Sequence, residues 1–359
     1  MKMKKLFALL ALSLVMVFAL AGCGSDNAEG EAAAEEGAAA SGDVLSVSVA
    51  AQPNSGQVFQ YMAEAHGFLE EEGVDVEMVY INNGTDAFAA LSAGQVDILS
   101  TYGTGSPLIQ IDNGQPYSIF GGYMIIGETP CFGKPETEWT DLESFRGKKI
   151  GITRFGTPDV VLKGILYDAG ILDEVEFVEY KKNQEVLQAV ASGEVDFGAT
   201  ATGYELQAAD LGLEVKMWPD EYWPNHSCCR MICQTEWLEQ NEEAAYRLLR
   251  AYLRAEEAMQ GNEDEVVSLV VENLDLDQAT VESFVKSEHM KYDTDPFKNS
   301  VEKMWNKMID IGYATNTDLD ISQHINTEIY QRALESLIED YPDSQFFQDK
   351  MVQFEENNQ

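Results

Sequence analysis

Basic residues are scarce in this sequence. Its 359 residues include 23 Lys and Arg against 62 Asp and Glu, which gives a formal net charge of −39. After the first five residues there is no dense basic run of the kind that binds phosphate backbones or anionic lipid surfaces. We therefore expect no nucleic-acid partner, and we interpret the many carboxylates as a highly soluble surface.

Histidine and cysteine are also rare, with four and five residues respectively. We find no Ser-His-Asp arrangement that would predict nucleophilic catalysis. The cluster of His226, Cys228, Cys229 and Cys233 does not have the C-x-x-C spacing of zinc sites. The sequence therefore predicts no catalytic residues, no metal site and no cofactor.

A long hydrophobic run occurs at the N-terminus. Three lysines precede an apolar stretch over residues 6–20, which is shorter than the roughly 20 residues of a spanning helix. The stretch leads into Leu20-Ala-Gly-Cys23, which resembles the lipobox of bacterial prolipoproteins. We expect a signal peptide at 1–23, a lipid on Cys23 and a disordered acidic tether at 24–43. The protein would then lie at the outer face of the cytoplasmic membrane or in the periplasm, with the lipid anchor as its only membrane contact.

Strand and helix periods alternate along the rest of the chain. Leu45, Val47 and Val49 alternate with polar residues as a strand, whereas residues 57–72 have helical spacing. Further strands and helices follow in the same order up to residue 120. This alternation predicts an α/β fold with mostly parallel sheets flanked by helices.

The same alternation starts again after about residue 140, and ALSAGQVDI at 90–98 is similar to AVASGEVDF at 189–197. From residue 237 onward only amphipathic helices are predicted. We expect two lobes, the first comprising 44–130 with the helical 231–359 and the second comprising 131–230. We also expect a monomer.

Several segments resemble one known family. Residues 65–77, AHGFLEEEGVDVE, are similar to the KGFFEEEGLDVE stretch of the substrate-binding proteins for nitrate, sulfonates, taurine and thiamine precursors. Further matches follow in order at 83–87, 90–97, 103–107, 141–152 and 189–196. The resemblance covers about 46–239. It implies a two-lobed receptor with the type II periplasmic-binding-protein fold, which closes on a small solute and delivers it to the permease of an ABC importer.

Five loops are expected at the carboxyl ends of strands, where open α/β sheets bind ligands beside helix N-termini. In the last of these loops, members of the family often have the sequence Trp-Glu-Pro, whereas residues 204–206 of this chain are Tyr-Glu-Leu. Arg154 could meet an anionic group or be an ordinary surface arginine, and each threonine could be a simple helix cap. The predicted ligand-binding residues are Gln52, Asn83, Gly84, Thr85, Tyr102, Thr104, Arg154, Phe155, Gly156, Thr157, Thr202, Tyr204 and Glu205.

Four cysteines remain besides Cys23, in a compartment where disulfides can persist. Cys131 lies where the chain leaves the first predicted lobe, and residues 228–233 lie where it returns. We therefore expect that a disulfide could join Cys131 to Cys228, Cys229 or Cys233, although buried free cysteines are also common.

These patterns predict a solute-binding receptor and not an enzyme. The ligand would be a sulfonate-like or small heteroaromatic molecule held between the lobes. The alternative is an enzyme of the same fold acting on a pyrimidine precursor of thiamine. That alternative would use His226 and the cysteine cluster, which partly resembles the cysteine-rich motif of the family's fungal pyrimidine-synthesising members.

Overall fold

A computed structural model describes residues 43–53 and 56–359. The predicted signal peptide, the lipid on Cys23 and the tether up to residue 42 lie outside these residues. Within the described ranges, no helix is both long and apolar enough to cross a membrane.

Eleven strands in the described residues carry the fold, numbered in chain order. They are Leu45–Ala51 (β1), Val74–Tyr80 (β2), Ile98–Leu99 (β3), Tyr117–Ile126 (β4), Cys131–Gly133 (β5), Lys149–Thr153 (β6), Glu176–Tyr180 (β7), Phe197–Ala199 (β8), Glu214–Met217 (β9), Cys229–Gln234 (β10) and Lys291–Tyr292 (β11).

Fourteen α-helices in the same residues surround the strands. They are Val58–Ala65 (α1), Phe68–Glu72 (α2), Gly84–Ser92 (α3), Gly105–Asp112 (α4), Thr157–Asp168 (α5), Asn183–Ser192 (α6), Glu205–Asp210 (α7), Thr235–Gln240 (α8), Glu242–Met259 (α9), Glu263–Leu274 (α10), Gln278–Val285 (α11), Lys298–Asp310 (α12), Glu328–Asp340 (α13) and Gln345–Asn357 (α14).

The strands form two sheets. The first has the order β11-β4-β10-β3-β1-β2 and the second has the order β7-β6-β8-β5-β9. The strands of the predicted βαβ units pair in parallel, β1 with β2 and β3, and β6 with β7 and β8. The strands by which the chain passes between the sheets, β4, β5, β9 and β10, pair antiparallel. The predicted α/β class is thus confirmed, and both sheets are mixed instead of mostly parallel.

Glycines explain two local differences from the predicted elements. The helix expected over 57–72 is interrupted because Gly67 adopts a left-handed conformation (φ 72°) between α1 and α2. The strand expected at 116–120 continues through Gly121 and Gly122 to Ile126. A Cβ atom on Gly122 would lie 2.3 Å from the Asp295 carbonyl oxygen, so glycine lets residues 293–295 pass close to the sheet.

The C-terminal helices contact both sheets. Helices α9 and α13 bury their apolar sides, including Leu248 and Leu334, in a core shared with β1 of the first sheet. Helix α12 instead packs on α5, where Trp305 joins the core that contains Leu162. The Lys307 ammonium group also donates a hydrogen bond to Asp168 at the end of α5, at 2.5 Å. The C-terminal helices thus pack on α5 as well as on the first sheet, and the predicted lobe boundaries stay predictions.

Candidate functional site

Two crossing segments connect the sheets, at 126–131 and 217–229. Such connections usually run over the surface, because buried backbone and polar groups need partners. Here they carry buried polar side chains instead, joined by others from the loops of both sheets. The buried polar residues of this junction are Gln57, Ser100, Thr101, Thr104, Glu128, Thr129, Thr157, Thr202, His226 and Ser227.

One backbone carbonyl ties the two sheets together at this junction. The hydroxyl groups of Thr104, before α4, and Thr157, the first residue of α5, donate hydrogen bonds to the carbonyl oxygen of Cys228, at 3.2 and 3.0 Å. Gly103 is required beside them, because its φ is 74° and a Cβ atom would lie 2.8 Å from the Thr157 hydroxyl. The loops after β3 and β6 are therefore held together around Cys228.

Two carboxyl groups lie next to each other in the junction, those of Glu128 and Glu205. Burial and, to a lesser extent, the negative charge of Glu205 together raise the pKa of Glu128 to about 8. Burial also raises the pKa of Glu205, although backbone N–H groups of 203–205 lie nearby and oppose this rise. Because two close carboxylates repel each other, the pair retains a proton near neutral pH, on Glu128.

Several polar atoms of the junction are buried without a hydrogen-bond partner among the described residues. They are Gln57 Nε2, Glu128 Oε2, Thr129 Oγ1, both carboxylate oxygens of Glu205, His226 Nδ1 and the Tyr292 hydroxyl. Buried polar groups in proteins are nearly always hydrogen-bonded, so unpaired groups call for an explanation. Thr129 follows Glu128 in the chain, the Gly127 N–H donates to His226 Nε2, and Tyr292 lies close enough to Glu128 for that charge to raise its pKa, so the surroundings of the acidic pair are the candidate functional site.

An aromatic cluster reaches the acidic pair through Tyr292, whose pKa is raised in part by the Glu128 charge. Tyr123 and Tyr292 meet edge to face, with ring centroids 5.6 Å apart, and Phe59 meets Tyr123 in the same way at 5.6 Å. The Tyr123 hydroxyl accepts a hydrogen bond from the Val58 backbone N–H at the start of α1. Burial raises the pKa of both tyrosines, so both hydroxyls stay protonated at neutral pH.

Four non-glycine residues around the junction have left-handed backbone conformations. Gln57 (φ 47°) precedes α1, Phe155 (φ 63°) precedes α5, and Asn225 (φ 53°) and Ser227 (φ 59°) lie on either side of His226. Such conformations cost of order 1–3 kcal/mol each and persist where the surroundings enforce them, often at ligand sites.

The structure brings four of the predicted site residues into the junction. Thr104 and Thr157 contact Cys228, the Thr202 hydroxyl donates to the Glu128 carbonyl oxygen at 3.2 Å, and Glu205 pairs with Glu128. These residues all lie in loops after strands β3, β6 and β8 or at the start of the helices that follow those loops. The expectation that loops after neighbouring strands lie close together was therefore sufficient to predict that these four residues meet.

Other predicted site residues make contacts that support the loops. The Gln52 backbone N–H donates to the Thr101 hydroxyl at 2.7 Å, and the Tyr102 hydroxyl donates to the carbonyl of Ile81 at 2.9 Å. Phe155 packs edge-on against Tyr313, with centroids 5.0 Å apart. Gly156, half-buried, is the residue immediately before α5.

The remaining predicted residues lie on the surface or pack elsewhere. Asn83 and Thr85 are exposed beside the half-buried Gly84, and the Asn83 side chain caps α3 by accepting from the Asp86 N–H at 2.9 Å. Arg154 is about half exposed, with its guanidinium 3.5 Å from the Glu179 carboxylate. The Tyr204 ring packs against the core of the second sheet, and its hydroxyl accepts from the side chain of Gln184. A role for these residues in binding remains a prediction.

Sequence reasoning missed Glu128 and Thr129 of the first crossing segment and considered His226 of the second only for the alternative enzyme. Glu128 and Thr129 belong to no periodic element, so nothing in their spacing distinguished them from loop residues. Gln57 directly follows a predicted loop and could have been included with it. Tyr292 comes from the short strand β11, far along the chain, and only the folded structure brings it here.

The four described cysteines are buried free thiols, so the expected cross-link is absent from this structure. Cys131 lies within the second sheet, paired with Ala199 and Met217, whereas Cys233 lies within the first sheet, paired with Ser118. The two segments thus pass into different sheets, with the thiols buried in separate environments. The described residues contain no group of three or more His, Cys, Asp or Glu that could hold a metal ion.

Comparison with known proteins agrees with this architecture. The chain is 22% identical over 319 residues to the formylaminopyrimidine-binding protein of Halalkalibacterium halodurans, covering 85% of this chain and 92% of that protein. It also resembles the ligand-binding component of an ABC-type import system from Staphylococcus aureus, solved with zinc bound, with a TM-score of 0.67, 16% identity, and coverage of 80% of this chain and 99% of that one.

The periplasmic aliphatic sulphonate-binding protein SsuA of Escherichia coli is similar to the same extent, with a TM-score of 0.66, 15% identity, and coverage of 80% of this chain and 99% of that one. At such identities the two structures show the fold, and they confirm the predicted periplasmic-binding-protein type. The model of the NMT1/THI5-like family matches residues 54–266, more than half of the chain. The chain therefore belongs to the NMT1/THI5-like family.

Proposed function

We propose that this protein is an extracytoplasmic receptor that captures a small heteroaromatic solute at the junction of its two sheets and delivers it to the permease of an ABC importer. The observation that carries the proposal is the cluster of buried, unpartnered polar atoms around Glu128 and Glu205. A bound solute would supply the missing hydrogen bonds. The likeness to a formylaminopyrimidine-binding protein and to a component of an ABC-type import system supports the same role.

The acidic pair favours an aminopyrimidine over a sulfonate. A protonated carboxyl group donates through its O–H and accepts through its C=O, which matches a ring nitrogen beside an exocyclic amino group. Glu128, with its pKa raised to about 8, is such a donor, and a carboxylate on Glu205 accepts a further N–H. Tyr123 and Tyr292 would border the flat ring.

A sulfonate would place a negative charge next to these carboxyl groups. The two nearby arginines do not compensate for that repulsion. Arg154 is half exposed beside Glu179. The buried Arg230 has Nε and Nη2 atoms without a hydrogen-bond partner among the described residues, but the carboxylates of Asp293 and Asp295 already offset its charge. Of the two solute classes predicted from the sequence, the heteroaromatic one is therefore our proposal.

Binding without catalysis is the second part of the proposal. His226, which the alternative enzyme would use, is fully buried, and burial lowers its pKa to about 4. Its ring therefore stays neutral at neutral pH and cannot donate a proton as an imidazolium ion. The Thr104 and Thr157 contacts to the Cys228 carbonyl are the kind expected of lobes closed around a solute.

Calorimetric titration of the purified protein tests the function. We expect a formylaminopyrimidine to bind with a measurable affinity and ethanesulfonate to bind much more weakly. Glu205→Gln removes a charge-assisted hydrogen bond and should weaken pyrimidine binding roughly tenfold to hundredfold. Asp277→Ala, which removes the exposed cap of α11 and changes none of the predicted binding residues, should cost about 1 kcal/mol of stability and leave the affinity unchanged. Preference for ethanesulfonate, or turnover of the pyrimidine, would contradict the proposal.

Lipid anchoring of this receptor through Cys23 is also our proposal, supported by the lipobox-like residues 20–23. Cys23→Ala should release the protein from the membrane fraction of the native cell while leaving its melting temperature unchanged, because both described sheets are built from residues after 43. Membrane fractionation followed by thermal melting measures both properties. Unchanged membrane association of the variant would rule out the anchor.

A further inference from the structure

Two adjacent thiols lie at the centre of the junction. The sulfur atoms of Cys228 and Cys229 are 3.7 Å apart, and both residues are only 6% exposed. The backbone here is already irregular, since Ser227 has a left-handed conformation and the pairing of β10 with β4 shifts register between Cys229 and Arg230. Neither thiol has a role in the solute binding proposed above.

The surroundings of the two thiols make them chemically unequal. Gly127 leaves room for the Cys228 thiol. Any other residue at 127 would place its Cβ atom 2.3 Å from the Cys228 sulfur. The hydrogen bond from the Cys228 thiol lowers the pKa of Cys229, and the Gly103 N–H and the Arg230 charge lower it further. The same hydrogen bond and burial raise the pKa of Cys228. Cys229 is thus the better nucleophile and Cys228 its proton-donating neighbour.

We propose that Cys228 and Cys229 form a redox modification site, at which a small-molecule disulfide oxidises the two thiols to a disulfide between adjacent residues. The Cys229 thiolate attacks one sulfur of oxidised glutathione and releases one glutathione thiolate. Cys228 then loses its proton and attacks the Cys229 sulfur, releasing the second glutathione. The protein loses two protons and two electrons, and one glutathione disulfide becomes two thiols.

Such a bond changes the binding site because of its geometry. Adjacent Cα atoms are about 3.8 Å apart, less than the 4.4–6.8 Å of most disulfides, so the ring closes only if the peptide between the cysteines turns. The carbonyl oxygen of that peptide is the one that accepts from Thr104 and Thr157. Oxidation therefore breaks the contacts that hold the two sheets' loops together. A strained bond of this kind is also easily reduced, which makes the change reversible.

The modification rests on the proposed function in one respect. Because both thiols are buried, oxidised glutathione reaches them only when the junction opens, as the proposed capture of a solute requires. A bound formylaminopyrimidine should then slow the oxidation. The existence of the disulfide itself can be tested without any ligand.

Peptide mapping of the full chain tests the proposal. The protein is equilibrated in glutathione buffers of increasing oxidised fraction, its free thiols are alkylated, and digested peptides are analysed by mass spectrometry. We expect the peptide containing residues 228–229 to lose two hydrogen atoms and to escape alkylation, reversibly. Cys233→Ser, which changes a buried thiol near the end of β10, should retain this behaviour, whereas Cys228→Ser and Cys229→Ser should each lose it.

Titration of the oxidised and reduced proteins with a formylaminopyrimidine measures the consequence. Loss of the two hydrogen bonds to the Cys228 carbonyl should weaken binding about tenfold or more. Free thiols at 228 and 229 under the most oxidising buffer, or a linkage to Cys131 or Cys233, would overturn the proposal for the wild-type protein. Equal affinity of the two forms would overturn its link to binding. Failure of both forms to bind, with the disulfide present, would instead count against the proposed solute.

Discussion

Replacing Glu128 with glutamine is expected to stabilise the protein at pH 8 by a few kcal/mol. The pKa of Glu128 is raised by burial from 4.5 to about 8 in the folded chain, so folding retains a proton that the unfolded chain releases. The stability that this group contributes is full below pH 4.5 and is lost as the pH rises through about 8. A glutamine cannot ionise and so avoids this loss of stability. Each unit of pKa difference between the folded and unfolded chain corresponds to about 1.36 kcal/mol, so the upper limit of the loss is about 5 kcal/mol.

Urea unfolding at pH 5, 6.5 and 8 measures this effect. The wild-type free energy of unfolding should fall as the pH rises over this range, and Glu128→Gln should flatten that fall. Glu136→Gln serves as the matched control, because Glu136 lies in the same part of the chain but is exposed. An equal pH dependence for the wild type and Glu128→Gln would mean that Glu128 is ionised in the folded protein, and the acidic pair would not retain a proton.

The Lys350→Met substitution should destabilise the fold by about 3–5 kcal/mol, as expected when one partner of a buried ion pair is removed. The Lys350 ammonium group lies 2.7 Å from Glu256 and 2.5 Å from Asp293, and all three side chains are buried. Burial alone would lower the pKa of Lys350, but the two carboxylates raise it. Methionine keeps most of the side-chain length and removes the charge, which leaves two buried carboxylates without their cation.

The effect is expected to be large because the cluster of Lys350, Glu256 and Asp293 connects separate parts of the fold. Glu256 also accepts hydrogen bonds from the Thr294 N–H and hydroxyl, at 3.0 and 2.5 Å. Residues 293–295 in turn lie against Gly122 of β4, and the Gly122 N–H donates to the Thr294 carbonyl at 2.7 Å. The cluster therefore joins the C-terminal helix α14 to the first sheet.

Urea denaturation at neutral pH compares Lys350→Met with Lys298→Ala, the control. Lys298 also lies in the C-terminal region, but its contact with Glu302 is long, at 4.0 Å, and partly exposed, so its removal should change the stability by less than about 1 kcal/mol. A Lys350→Met variant as stable as this control would show that the buried carboxylates do not depend on the lysine.

The alternation of strands and helices was sufficient to predict the α/β class and the parallel pairs, because β1 with β2 and β6 with β7 are neighbours in sequence as well as in space. The antiparallel pairs were not predictable in this way. They join strands far apart in the chain, such as β4 with β10. The position of α12 on α5 is equally non-local, since amphipathic spacing identifies a buried face but not the surface that covers it.

The residues of the candidate site also fall into those that local sequence patterns predicted and those that depend on the folded chain. Thr157 and Glu205 were predicted because they follow strands of the repeated units, where the fold places loops at one edge. Glu128 was missed, and His226 was considered only for the alternative enzyme, because the crossing segments have no period. Their importance lies in burial without partners, a property of the folded chain and not of residue type. Tyr292 contributes from a C-terminal strand that the sequence did not indicate.

The structure of the protein crystallised with a formylaminopyrimidine tests the central claim most directly. We predict that the pyrimidine lies at the junction, with its ring nitrogen and amino group within hydrogen-bond distance of the Glu128 and Glu205 carboxyl groups and its ring beside Tyr123 and Tyr292. A pyrimidine bound instead against the outer loops, near Asn83, Thr85 and Arg154, with the acidic pair unpartnered as before, would contradict this account.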